Sequence, residues 1–207
     1  MAIRAVVFDF GGVLFDWNPQ HLYRKLIADE HERQWFLDTI CTQAWNTEQD
    51  AGRPLAEATQ VLTDQFPHHK ALITAYYERW HEMLRGPLPE GVAILKALDA
   101  ANMPLFGLTN WSAETFPYAQ ANYPFLRCFR DIVVSGELKL IKPNPAIYDA
   151  SLRQVRAYLP DIKPGEVVFI DDVADNVDAA VSLGWRGIHH VSAEHTAARL
   201  RELGVGF

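Results

Sequence analysis

What this sequence of 207 residues has little of bounds its function first. It holds two cysteines, Cys41 and Cys128, far apart and with no Cys-x-x-Cys pair. Neither a zinc knuckle nor a disulfide framework is indicated, and a reducing compartment suits the chain. Basic residues are the minority, 19 Lys and Arg against 26 Asp and Glu for a net charge of −7, and they form no stripe that would track a phosphate backbone. Nucleic acid and membrane are therefore not expected partners. No apolar run reaches the roughly 20 residues that a spanning helix needs, and the first one, Ala5–Phe8, is cut by Asp9 and then Asp16. No signal peptide is read, the cytoplasm is the expected location, and the sequon Asn110-Trp111-Ser112 is discarded with it. Repeats and low-complexity tracts are also lacking. With 49% hydrophobic and 12% aromatic residues, the chain has enough apolar matter for one core plus a small insertion.

Five short apolar runs, Ala5–Phe8, Pro104–Leu108, Ile132–Val134, Val167–Ile170 and Gly187–Val191, predict buried strands. Helical spacing separates the later ones. Ile94, Leu95 and Leu98 mark one helix, Tyr148, Leu152, Val155 and Leu159 a second with Asn144 as cap and Pro145 at its first turn, and Val177, Ala180 and Val181 a third that stops at Gly184. Alternating strand and helix predicts an α/β fold with a parallel sheet. Residues 17–87 break the rhythm and read as helices throughout, with starts at Asn18-Pro19 and Arg53-Pro54 and a hinge at Gly86-Pro87-Leu88-Pro89. The expected division is a core of residues 1–16 and 88–207 and a helical insertion of residues 17–87.

Ligands of open parallel sheets bind beyond the carboxyl ends of the strands, so the residues just after each apolar run carry the chemistry. Asp9 ends the first run, Thr109-Asn110 the second, Lys142 follows the third, and Asp171-Asp172 ends the fourth with Asn176 beyond. One Asp after a strand is usually a turn residue or a cap. Together, these groups make a site for a small anion and a hard divalent cation. Asp9, Asp171 and Asp172 supply oxygen ligands suited to Mg²⁺, and Lys142 and Thr109 would neutralise phosphate oxygens. Asp9 is then the nucleophile of an aspartyl-phosphate route.

These motifs resemble those of the haloacid dehalogenase superfamily, most of whose members are Mg²⁺-dependent phosphatases. Phe8-Asp9-Phe10-Gly11-Gly12-Val13-Leu14 is similar to its nucleophile loop, Leu108-Thr109-Asn110 to its phosphate-binding threonine motif, Lys142-Pro143-Asn144-Pro145 to its lysine motif, and Phe169-Ile170-Asp171-Asp172 with Asn176 to its acidic motif. Lys139 is a rival to Lys142 that lacks the following proline. The resemblance implies a Rossmann-like sheet flanked by helices with an inserted all-α cap. It also implies a metal site of Asp9, the Gly11 backbone carbonyl, Asp171 and Asp172 with Asn176 behind it, and phosphate held by Gly11, Thr109, Asn110 and Lys142. The expected activity is phosphomonoester hydrolysis of a small phosphorylated metabolite. A metal-independent 2-haloacid dehalogenase and a non-catalytic phosphate-binding protein are the alternatives.

One position departs from the pattern. Most phosphatases of the superfamily carry a second Asp two residues after the nucleophile, which protonates the leaving group; here it is Gly11. A missing general acid costs about 10²–10⁴-fold in rate. Good leaving groups, such as the anomeric oxygen of a sugar 1-phosphate, are then favoured, unless water or a cap carboxylate such as Asp50 or Glu48 replaces the acid. Within the insertion, Trp17, Trp45 and Asn46 are the substrate-contact candidates. Its other aromatics and His68, His69, together with His189 and His190, are expected to pack rather than bind.

Overall fold

The computed structural model describes residues 2–207. It contains seven strands, β1 (Ala5–Phe8), β2 (Phe15–Trp17), β3 (Leu84–Pro87), β4 (Leu105–Thr109), β5 (Asp131–Val134), β6 (Val167–Asp171) and β7 (Arg186–His189). Five of them form one parallel sheet in the order β5-β4-β1-β6-β7. Each of the five predicted runs is one of these strands. The first coincides in its bounds and the others differ by one or two residues at their ends.

Alternation of side chains gives the sheet two apolar faces. Val6 and Phe8 point into one cluster with Ile170 and Ile188, and Ala5 and Val7 into the other with Phe169, Ile147 and Tyr148. The helices α6 (Pro89–Ala100), α7 (Phe116–Asn122), α8 (Ser135–Leu138), α9 (Pro145–Tyr158), α10 (Ala174–Ser182) and α11 (Ala193–Glu202) lie along the core part of the chain. Asn144 caps α9 by accepting from the Ala146 amide at 3.0 Å. α10 gives way at Leu183 to Gly184, whose φ of +87° lies in the left-handed region.

Between β2 and β3 lie α1 (Gln20–Leu26), α2 (Glu30–Thr39), α3 (Gln43–Asp50), α4 (Leu55–Gln65) and α5 (Lys70–Glu78). The expectation of helix throughout residues 17–87 is corrected at both ends. Trp17 and residues 84–87 are strand, paired as an antiparallel ribbon in which Asp16 faces Gly86. Short strands with a Gly and a Pro read as a hinge because neither side shows a sustained period of two. One apolar cluster runs without a break from Phe8 through Phe10 and Phe15 to Leu22, Tyr23, Phe36 and Tyr76, so the helical insertion shares its packing with the sheet.

The chain leaves β1 for β4 and β5 on one side, then fills β6 and β7 on the other. The crevice of such a sheet opens at the carboxyl ends of the central strands, where that order reverses.

Candidate active site

A cavity of about 370 Å³ opens at those strand ends. Its floor is built from Asp9, Gly11, Gly12, Thr109, Asn110, Lys142, Asp172 and Asn176. Over them stand Trp17 at the start of the insertion, Trp80 at its end, and one face of α3.

Lys142 holds the centre. Its ammonium lies 2.7 Å from Oδ1 of Asp9 and 2.6 Å from Oδ2 of Asp171, and all three residues are buried. The loop that carries it is clamped by Asn110, which donates through Nδ2 to the Lys142 carbonyl and accepts the Lys142 amide on Oδ1, at 3.1 and 2.9 Å. The rival Lys139 ends the short helix α8 (Ser135–Leu138) and packs against Gly52 instead. Burial alone would discharge the Lys142 ammonium, but Asp9 and Asp171 outweigh it and raise its pKa. Burial, then the nearby Asp171 charge, raises Asp9 against the pull of Lys142. A cation beside Asp9 would act in the opposite direction.

The two adjacent acids have different surroundings. Asp171 is fully buried, and its oxygens accept from Lys142, from the Val173 amide at 2.8 Å and from Asn176 Nδ2 at 3.1 Å. Asp172 borders the cavity, where burial and the charge of Asp171 raise its pKa. Carboxylate oxygens of Asp9, Asp171 and Asp172 lie within 4.8 Å of one another. Three carboxylates against one ammonium leave an excess of negative charge around hard oxygen donors, so the donor set fits Mg²⁺.

Gly12 and Gly11 differ in what they permit. Gly12 has φ +67°, and a Cβ there would lie 2.1 Å from an Asp172 oxygen, so only glycine lets the nucleophile loop approach the acid. Gly11 has no such conformation, and a Cβ on it would meet nothing within 4 Å.

Of the insertion residues expected at the site, Trp17 and Asn46 line the cavity and Trp45 does not. Trp45 packs its ring on Tyr76 and Tyr77, with centroids 5.1 and 5.2 Å away. The reason is helical geometry: Gln43, Asn46, Thr47 and Asp50 are spaced i, i+3, i+4, i+7 on α3 and share the face over the cavity, and Trp45 is off that stripe. Trp80, expected with the other insertion aromatics to pack rather than bind, lines the cavity while packing on Trp111 with centroids 5.6 Å apart, and Trp111, which carried no signal of its own beyond adjoining Thr109-Asn110, lines it as well. His69 stacks near Trp35 and Phe36, His190 contacts Thr196 at 2.8 Å, and His189 contacts the Asp172 carbonyl at 3.0 Å.

With this geometry in view, comparison with known proteins places the chain. Residues 3–184 match the family model of haloacid dehalogenase-like hydrolases. The chain belongs to this family. A sesquiterpene phosphatase, astK, of Aspergillus oryzae is 27% identical over 201 residues, covering 97% of this chain and 96% of that protein. A HAD family enzyme from Bacteroides thetaiotaomicron, solved in complex with magnesium and inorganic phosphate, superposes with a TM-score of 0.66 at 20% identity over 90% of this chain and 93% of that one. The L-2-haloacid dehalogenase of Xanthobacter autotrophicus with chloropropionic acid covalently bound gives 0.61 at 20% identity, over 99% of this chain and 85% of that one. Both structural likenesses speak to the fold. The chain is a HAD-type hydrolase built on a parallel sheet flanked by helices, and no helix among the described residues is long and apolar enough to cross a membrane.

Proposed function

We propose that this hydrolase is a Mg²⁺-dependent phosphomonoester hydrolase that works through an aspartyl-phosphate on Asp9. The observation that carries the reading is the cluster of Asp9, Asp171 and Asp172 around one lysine. Displacement of halide from carbon needs no metal and gains nothing from Asp172 beside the buried Asp171, adjacent like charges that are costly to hold together without a cation. The similarity to a phosphatase along almost the whole of both chains supports the same side.

In this reading Asp9, Asp172 and the Gly11 carbonyl hold the ion, which when bound offsets the charge of Asp9 and of the phosphoryl oxygens. Asp171 keeps Lys142 in place, and Asn176 keeps Asp171 in place. Lys142, Thr109 and Asn110 take the remaining phosphoryl oxygens. One oxygen of Asp9 attacks phosphorus, the bond to the leaving oxygen breaks, and water later cleaves the aspartyl-phosphate to release inorganic phosphate and free Asp9. Trp17, Trp80 and Trp111 wall the space where the leaving group lies, which suits a small metabolite with an apolar face, such as a sugar 1-phosphate. Trp17 has a buried indole Nε1 with no acceptor among the described residues, a donor available to a substrate hydroxyl.

The test is phosphate release from a sugar 1-phosphate and halide release from 2-chloropropionate, each with Mg²⁺ and with EDTA. Mg²⁺-dependent phosphate release is expected. Halide release in EDTA would establish the dehalogenase, and silence in every arm a protein that binds without turnover.

A further inference from the structure

We propose that Asp50 is the general acid and base of this reaction, supplied by the helical insertion in place of the carboxyl that position 11 lacks. The proposal rests on the phosphatase reading above. Four titratable residues line the cavity: Asp9, Lys142, Asp172 and Asp50. The first three are engaged with one another at the strand ends, and no histidine lines the cavity. Asp50 alone stands on the opposite wall, among the residues that face the leaving group.

Its placement is built rather than incidental. Its carbonyl accepts from Ser135 Oγ at 2.5 Å, and the same Oγ accepts the Trp111 amide at 2.9 Å. Asp50 is thus pinned to the loop that carries Thr109 and Asn110. Its carboxyl is oriented by a relay of side chains. Arg53 Nε donates to Gln49 Oε1 at 2.7 Å, Gln49 Nε2 to the Tyr77 hydroxyl at 2.8 Å, that hydroxyl to Asn46 Oδ1 at 3.1 Å, and Asn46 Nδ2 to Asp50 Oδ2 at 2.9 Å. Because Oδ2 accepts from an amide whose orientation Tyr77 dictates, a proton on this carboxyl sits on Oδ1. Glu48 has no such place: it pairs with Arg53, off the cavity face of α3.

The surroundings also keep that proton on. Tyr76 and Tyr77 of α5 face the carboxyl, the Ser112 backbone approaches it from the core, and Arg53 is held by Gln49 and Glu48. No cation forms an ion pair with Asp50 among the described residues. Burial pushes its pKa up to about 8, against a hydrogen bond from the Ser112 backbone that acts to lower it. A carboxyl that is protonated near neutral pH and loses its proton just above is suited to both halves of the reaction. As Asp9 attacks, the electron pair of the breaking P–O bond goes to the leaving oxygen, which takes the proton of Asp50 Oδ1 and departs as the alcohol. Water then enters in line from the same side. Asp50 takes its proton as its oxygen bonds to phosphorus, the P–O bond to Asp9 breaks, and the acid is restored. Asn46 and Tyr77 are positioning residues that act through Asp50.

The experiment compares wild type and Asp50→Asn on a primary alkyl phosphate and on p-nitrophenyl phosphate at saturating Mg²⁺ from pH 5.5 to 9.5. In the variant, kcat/KM for the alkyl ester should fall by about 10²–10⁴-fold. For p-nitrophenyl phosphate, whose leaving group needs no proton, it should hold to within about tenfold. Rapid mixing should show a burst of one p-nitrophenol per enzyme before slow turnover, because water attack has lost its base. The fall of alkyl kcat/KM as pH rises through about 8 in the wild type should vanish in the variant. Equal losses on both esters, or no loss on the alkyl ester, would overturn Asp50 alone; a wild type that hydrolyses neither ester overturns the phosphatase reading and Asp50 with it. The wild type supplies a measurement that needs no variant: with an acid in place kcat/KM varies shallowly with leaving-group pKa, and a steep dependence rejects the proposal.

Discussion

Lys142 holds its ammonium 2.7 Å from Oδ1 of Asp9, with less than a tenth of either residue exposed. A buried charge this close is a structural debt as well as a catalytic asset, because removing it leaves Asp9 and Asp171 facing each other. Lys142→Met, of similar length and without charge, is expected to destabilise the fold by about 3–5 kcal/mol in urea denaturation without Mg²⁺. It should also lower turnover by about 10²–10³-fold.

Asp9→Asn keeps the volume and removes the nucleophile. Turnover should fall below a few per cent of wild type with an unchanged circular dichroism spectrum. Greater residual activity would take Asp9 out of the mechanism.

The unlike settings of the paired acids predict unlike metal phenotypes. Asp172→Ala, at the cavity edge, should weaken Mg²⁺ binding more than Asn176→Ala, which acts only by orienting Asp171. Titration calorimetry with Mg²⁺ ranks the two. Activity should be lost in excess EDTA and return with Mg²⁺.

Open space at Gly11 makes a gain-of-function variant feasible. Gly11→Asp in the Asp50→Asn background should recover alkyl phosphate hydrolysis by at least about tenfold, since a carboxyl on that loop would protonate the same leaving oxygen. No recovery, in a variant that still binds Mg²⁺, would mean that position 11 does not reach that oxygen.

Asp50 should also influence stability. Its folded pKa, about 8, lies above its value in the unfolded chain, so the folded state binds the extra proton and loses stability as pH rises toward 8. Asparagine has no proton to lose. The melting temperature of Asp50→Asn relative to wild type should therefore be higher at pH 8.5 than at pH 5, a comparison that thermal melts at the two pH values make directly.

The core was legible because a strand buried on both faces writes itself as an unbroken apolar run, and a polar residue marks where it ends. Asp9, Thr109 and Asp171 were found in this way, and Lys142 by its proline. The β2–β3 ribbon was not, since its pairing joins residues some 70 positions apart and three or four residues hold too few alternations to reveal a period. Nor does sequence say which of Asp171 and Asp172 turns inward, because adjacent acids share one spacing pattern. The stripe Gln43, Asn46, Thr47, Asp50 was present in the spacing, but a polar helical face reads as solvent-facing until a cavity is seen beneath it.

Ser135 Oγ is shared between the Asp50 carbonyl and the Trp111 amide. One hydroxyl thus joins α3, over the cavity, to the loop that follows Thr109 and Asn110. Ser135→Ala would leave the Asp50 carbonyl without this donor and the Trp111 amide without this acceptor. The carboxyl-bearing helix and the phosphate-binding loop thus share one anchor, and its removal is expected to loosen the placement of both.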